Sequence, residues 1–138
     1  KYSFILVNYA NADMVGHTGD FDATVKAVEI LDKEMGVLME AVLKTDGVLI
    51  ITSDHGNADE MVNLITGSPY PEHSANPVPF YLIRNDFKKE KSQEDIEIKK
   101  GEVDGILADV APTILELMEL KQPPEMTGKS LLKILKIE

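Results

Sequence analysis

Three histidines and two aspartates stand where chemistry could gather. Asp13 and His17 lie four residues apart in a glycine-bearing stretch, Asp54 and His55 adjoin in Ser53-Asp54-His55-Gly56-Asn57, and His73 follows in a Pro- and Ser-rich connection. These are all the histidines of the chain, and it has no cysteine. Disulfides and thiolate sites are therefore excluded, and any metal must be held by N and O ligands. Imidazole mixed with carboxylate suits Zn, Mn or Fe better than Mg or Ca, which prefer all-oxygen shells. Neighbours in extended backbone point to opposite sides, so Asp54 and His55 are expected to serve two different ions or the two sides of one cluster. Two metals about 3.5 to 4 Å apart are a common device for clamping the attacking and leaving oxygens of a phosphoryl transfer.

Each residue also has a plainer reading. One Asp-His dipeptide can be a turn cap beside a surface histidine; its conjunction with Asp13, His17 and His73 tips the balance toward a metal site. Thr18 and Ser53 are hydroxyls beside these ligands and so conceivable nucleophiles, but the simpler role is to satisfy loop backbone groups. Gly16, Gly19 and Gly56 are expected to supply positive-φ turns, and would also permit close approach of a ligand. Met35, Met39 and Met118 fall at helical spacing and read as core packing.

The elements that must position these residues are legible in outline. Phe4 to Val7 and Val48 to Thr52 are short apolar runs, the pattern of strands buried on both faces in a parallel sheet. Between them Phe21, Val25, Val28, Leu31, Met35, Leu38 and Val42 recur every three or four residues, with Asp20 or Asp22 as N-cap and Thr45-Asp46-Gly47 as the stop. Strand, helix and strand predict a right-handed βαβ unit. Both strands run into the candidate loops, as ligand sites of open α/β sheets require. A third strand, Val78 to Ile83, most simply runs antiparallel, which brings His73 to the same sheet edge; Pro77 and Pro79 put this strand at an edge or make its start irregular. The polar stretch from Asp86 to Lys100 reads as a solvated surface excursion in preference to a small hairpin, which Lys99-Lys100-Gly101 could turn. A helix from Val110 to about Leu120, with Pro112 in its first turn, ends before Pro123-Pro124, and Leu131, Leu132 and Leu135 suggest a short closing helix.

Composition narrows the partners. The 138 residues suffice for one core, and 14 basic against 24 acidic residues give a net charge of −10. That charge repels phosphate backbones, which argues against nucleic acid and anionic membranes and in favour of small cations. No apolar run reaches the length of a membrane span, and no signal peptide is visible. Arg84 is the one arginine, too few to grip a phosphorylated acid, so the anchors of such a substrate are expected outside this chain. Lys1 followed almost at once by an apolar run reads as a fragment opening on a core strand.

Asn11-Ala12-Asp13-Met14-Val15-Gly16-His17-Thr18-Gly19, Ser53-Asp54-His55-Gly56-Asn57-Ala58, His73 with Asn76-Pro77-Val78-Pro79-Phe80, Ala111-Pro112-Thr113-Ile114-Leu115 and Met126-Thr127-Gly128-Lys129-Ser130-Leu131 together resemble, in this order, the cofactor-independent phosphoglycerate mutases. The Asp-His-Gly piece is shared across the alkaline phosphatase superfamily; the first and last strings are more specific to the mutases. The resemblance implies an α/β, alkaline-phosphatase-like sandwich with a mostly parallel sheet flanked by helices. Residues 1–138 would be only the C-terminal portion of its metal-binding domain, without the N-terminal portion and the inserted substrate domain. It further implies a cytoplasmic, monomeric glycolytic enzyme that interconverts 2- and 3-phosphoglycerate with two manganese ions and a phosphoserine intermediate. Asp13, His17 and His73 would hold one manganese, and Asp54 and His55 would help to hold the other. The nucleophilic serine and a further aspartate would lie upstream, leaving this chain inactive alone. Ser53, often alanine in the family, and Ser74-Ala75 are minor departures. Related alternatives are a metal-dependent phosphatase, a sulfatase or a phosphopentomutase; outside enzymology, the alternative is a stand-alone metal-binding domain.

Overall fold

A computed structural model describes residues 2–63, 65–88 and 90–135. The chain divides into two compact units, residues 1–81 and 82–138.

The first unit contains α1 (Asn11–Gly16), α2 (Phe21–Lys44), β1 (Leu49–Thr52) and the start of β2 (Phe80–Ile83). The long helix begins and ends as its sequence dictates. The Asp20 carboxylate accepts the Ala23 amide at 2.9 Å, and the Thr24 hydroxyl donates back to the Asp20 carbonyl at 2.8 Å. At the other end Asp46 takes a left-handed φ of 55°, so that Gly47 N–H reaches the Val42 carbonyl and Asp46 N–H the Leu43 carbonyl. This is the Schellman closure, with aspartate rather than glycine in the left-handed position. Thr24, Ala27, Leu31, Met35, Leu38 and Val42 form the inward stripe, Thr24 fully buried and the others half-buried. Phe21, Val25 and Val28, expected on the same face, are 61%, 40% and 45% exposed. Met35 is half-buried and Met39 exposed, so the packing role expected for Met39 is not realised.

β1 and β2 form a two-stranded sheet. The predicted strand at Phe4 to Val7 is absent: these residues join no ladder, and Leu6 is 82% exposed. An apolar strand buried on both faces needs neighbours on both edges and layers above and below. The described residues supply neither, so the βαβ unit is reduced to its helix and second strand. A further difference is α1, where a loop was expected. The chain from Asn11 turns helically up to His17, its C-cap.

In the second unit the polar stretch is solvated as expected, residues 91–100 all being exposed, but it folds as α3 (Gln93–Lys100) where irregular chain was expected. Ser92 and Asp95 form a reciprocal capping box, and Gln93 and Lys100 both bond Glu97 along the helix. Gly101 caps that helix in a right-handed conformation instead of turning a hairpin. A 3-10 turn at Leu107–Asp109 leads into α4 (Val110–Leu117), which ends in a second Schellman closure at Glu119, φ 57°. The stretch from Met126 to Leu131 wraps onto the start of α4. The Asp109 carboxylate accepts Lys129 N–H at 2.7 Å and Ile106 N–H at 2.9 Å, and Thr113 Oγ1 donates to Asp109 O and accepts Leu131 N–H. Gln122 Nε2 donates to the Met126 and Gly128 carbonyls. α5 (Leu132–Leu135) closes the unit as expected, with Leu131 and Leu132 buried. No helix among the described residues is long and apolar enough to cross a membrane.

Candidate metal centre

α1 is what gathers the first group of candidate ligands. In a helix, side chains four apart lie on one face, and His17 follows Asp13 by four at the helix end. His17 Nε2 comes to 3.3 Å from Asp13 Oδ1. The third member arrives from the distant loop: His73 Nε2 lies 3.2 Å from the same Asp13 oxygen and 3.1 Å from His17 Nε2. The three atoms form a nearly equilateral triangle.

Its donor set could hold a cation. His17 Nδ1 lies 2.6 Å from the Pro71 carbonyl oxygen, which can only accept. That bond fixes the proton on Nδ1, so the Nε2 of a neutral His17 presents a lone pair to the triangle. An outer hydrogen bond of this kind is the usual support of a metal-binding imidazole. Asp13 Oδ1 is buried and has no hydrogen-bond partner among the described residues. A carboxylate oxygen and an imidazole lone pair this close, with a second imidazole nitrogen beside them, repel unless a proton or a cation lies between. Ligand atoms about 2.0 to 2.2 Å from one transition ion stand about 2.8 to 3.6 Å from one another, between cis-octahedral and tetrahedral geometry. The three observed edges fall inside that range.

Asp54 and His55 sit differently. They occupy a bend after β1, not extended backbone, and Asp54 Oδ1 is 3.6 Å from His55 Nε2. The two side chains thus meet, against the expectation that they point to opposite sides, because the chain has already left the strand. Among the described residues no third metal-ligating side chain joins them; the one three-membered group is Asp13, His17 and His73. The Asp54 side chain is 89% exposed. His55 stacks on His73 with ring centroids 3.7 Å apart. Asp13, Asp54 and His55 open on one cleft of about 250 Å³, walled also by Asn8, Tyr9 and Asn57.

The neighbouring polar residues sort themselves. Thr18 donates to the Val15 carbonyl at 2.6 Å and Ser53 to the His55 carbonyl at 2.6 Å, the loop-bracing role and not a nucleophile's. Of the three glycines expected at positive φ, only Gly19 adopts it, at 70°. Gly16 and Gly56 serve close approach instead: a Cβ on Gly16 would run into the Asn57 amide, and one on Gly56 into Ser74 Oγ and Asp59. Sequence reasoning missed Asn57, which is 4% exposed with both amide atoms unpaired. It also missed the network in which Asp59 receives Ser74 Oγ at 3.1 Å and Asn76 Nδ2 at 2.7 Å. Nothing in the spacing of these residues announces a contact across a loop.

Known proteins carry the same arrangement of sequence. Over 133 residues the chain is 50% identical to a 2,3-bisphosphoglycerate-independent phosphoglycerate mutase from Nostoc punctiforme, and 50% identical to another from Clostridium novyi. Each alignment covers 96% of this chain but 24% of the relative, so the chain spans about a quarter of their length. Among solved structures, a phosphoglycerate mutase of Leishmania mexicana, crystallised at low cobalt concentration, superposes with a TM-score of 0.69 at 29% identity over 88% of this chain and 23% of that one. The fold is therefore α/β of the alkaline-phosphatase-like kind. A family model for metalloenzymes covers residues 1–122 and so takes in α1, both candidate loops and α4; this chain belongs to the Metalloenzyme superfamily.

Proposed function

We propose that the chain is the C-terminal, metal-binding part of a phosphoglycerate mutase that interconverts 3- and 2-phosphoglycerate in cytoplasmic glycolysis. The observation that carries the reading is the triangle of Asp13 Oδ1, His17 Nε2 and His73 Nε2, with edges of 3.1 to 3.3 Å, in a chain half-identical to mutases of that activity. Its donors are two imidazoles and a carboxylate, which suits manganese or a similar transition ion.

In this reading Asp13, His17 and His73 hold one manganese. Asp54 and His55 contribute to a second, which an aspartate and the nucleophilic serine of another stretch of the parent protein complete. When bound, such ions neutralise phosphoryl charge and lower the pKa of a coordinated hydroxyl. The chain's own residues do the holding. The Pro71 carbonyl keeps His17 in the tautomer that coordinates, and the His55 ring keeps His73 from swinging away. The phosphoryl group passes from one substrate hydroxyl to the serine and from the serine to the other hydroxyl, so the serine is regenerated. Substrate anchors belong to the rest of the parent, since Arg84 is occupied by Asp86 at 2.8 Å and by the Phe87 ring.

The test compares this chain with the full-length parent. Both are titrated with Mn²⁺ and assayed for conversion of 3-phosphoglycerate. The expected result is one ion bound by the chain without turnover, and two bound by the parent with turnover. Positioned reactants are worth about 7 to 11 kcal/mol of barrier, so a chain lacking nucleophile and anchors stays inactive. Conversion by the chain alone, or a parent that hydrolyses phosphate esters without isomerising phosphoglycerate, overturns the proposal.

A further inference from the structure

His73 is the ligand with the weakest local support. His17 is fixed by its helix and by Pro71, and Asp13 by its helix, whereas His73 sits in a connection whose regular structure amounts to isolated bridges. Besides the stack of His55 on His73, two ties hold that connection to the Asp54-His55-Gly56 loop and the residues just after it. One is backbone: Gly56 and Ser74 form an antiparallel bridge, with Ser74 N–H donating to the Gly56 carbonyl at 2.8 Å. The other is a single carboxylate. Asp59 takes the Ser74 hydroxyl at 3.1 Å, next in sequence to His73, and the Asn76 amide at 2.7 Å. Asn76 Nδ2 also reaches Glu60 Oε2 at 3.1 Å.

We propose that Asp59 is a positioning residue for the Asp13, His17 and His73 centre, pinning the segment just after His73 through Ser74 and Asn76 so that His73 Nε2 is held over Asp13. The inference rests on the metal-site reading above. Gly56 is part of the clamp, because the missing Cβ is what lets Ser74 and Asp59 close over it. Asp59 is exposed at the surface and touches none of the three ligands, so it acts through Ser74 and Asn76. Although burial pushes its carboxyl upward, the hydrogen bonds from Asn76 and Ser74 outweigh that and hold it below the ordinary carboxylate value, so it is ionised and a strong acceptor at neutral pH. Supports of this kind are worth 10- to 100-fold in metal affinity, roughly.

The experiment titrates Mn²⁺ by calorimetry into the full-length parent carrying Asp59→Ala, Asn76→Ala, both changes, Asp59→Glu, or His17→Ala, with circular dichroism as the check on folding. Asp59→Ala and Asn76→Ala are each expected to weaken one site by about 10-fold or more with stoichiometry kept at saturating metal. The double variant should be no weaker than the worse single one, since both changes break the same clamp. Asp59→Glu, which keeps the carboxylate, should recover much of the loss, which a purely structural role for that position would not produce at constant folding. Wild-type affinity in Asp59→Ala, while His17→Ala loses the site, overturns the clamp and leaves the metal centre standing. Wild-type affinity in His17→Ala overturns the metal centre itself. Should Asp59→Ala fail to fold, Asn76→Ala carries the test, and wild-type affinity there counts against the clamp.

Discussion

The imidazole of His55 lies flat on that of His73, with centroids 3.7 Å apart and planes inclined by 19°. His55 therefore forms a wall of the Asp13 centre while its own carboxylate neighbour is Asp54. Ring pairs of this kind contribute about 0.5 to 1.5 kcal/mol beyond area burial.

His55→Ala should accordingly weaken manganese binding at the Asp13, His17 and His73 centre by about 2- to 12-fold, the same energy expressed as affinity. His55→Phe restores the ring without restoring a ligand. Calorimetric affinities separating the two variants check the stack; equal losses in both would mean that coordination by His55, not its ring face, is what the first centre feels.

Gly16→Ala tests the approach of α1 to Asn57. The new methyl meets the buried Asn57 amide, and overpacking of this type costs about 1 to 3 kcal/mol. A lower thermal midpoint is expected, and Asn57→Ala in the same protein should reduce the penalty, since the two changes share one space. Additive losses would show that the methyl is accommodated elsewhere.

Asp109 links stability to pH. Its carboxyl is held below the ordinary value of 3.8, first by the Lys129 amide and then by the Ile106 amide. A carboxylate with a depressed folded-state pKa contributes stability that is present above its unfolded value and lost as pH falls through the folded one. Wild-type protein should therefore lose part of its stability below about pH 4, and Asp109→Asn should show a lower midpoint at pH 7 with a flatter acid limb. Melting curves from pH 7 to pH 2 report both; parallel acid limbs would remove Asp109 from the account.

Metal removal gives a fourth expectation. A site that exists only in the folded state stabilises it by about 2.7 kcal/mol when metal is present at 100 times its dissociation constant. Chelation should lower the thermal midpoint of wild-type protein, and Asp13→Ala should abolish the difference between chelated and Mn²⁺-loaded samples. A full metal-dependent shift in Asp13→Ala would exclude Asp13 as a ligand.

What was legible in the sequence was local. Asp20 at the head of α2 and the Thr45-Asp46-Gly47 stop followed from caps and periodicity. The approach of His73 to His17 was expected from strands that end at one sheet edge, but α1 and not a strand delivers His17. What was not legible has specific causes. Hydrophobicity at Phe4 to Val7 marks a strand, but a ladder requires partners that the described residues do not contain. α1 was missed because Ala10 offers no side-chain cap, so nothing marked its start. α3 does carry a mark in sequence, the capping box of Ser92 and Asp95, but the stretch lacks the apolar period that distinguishes a packed helix from solvated chain. The meeting of Asp54 with His55 depended on a bend one residue past the strand, a boundary that hydrophobic pattern does not fix.

The exposed run from Phe4 to Val7 also bears on handling. An exposed apolar run that joins no ladder, in a chain whose described sheet has two strands, is a template for intermolecular strand addition, and chains that display it aggregate as concentration rises. Preparations of these residues by themselves would therefore need dilute conditions, or a complementary polypeptide supplied in trans, to stay in solution. Recovery of soluble material on mixing with that second piece would turn a purification difficulty into an assay for reassembly.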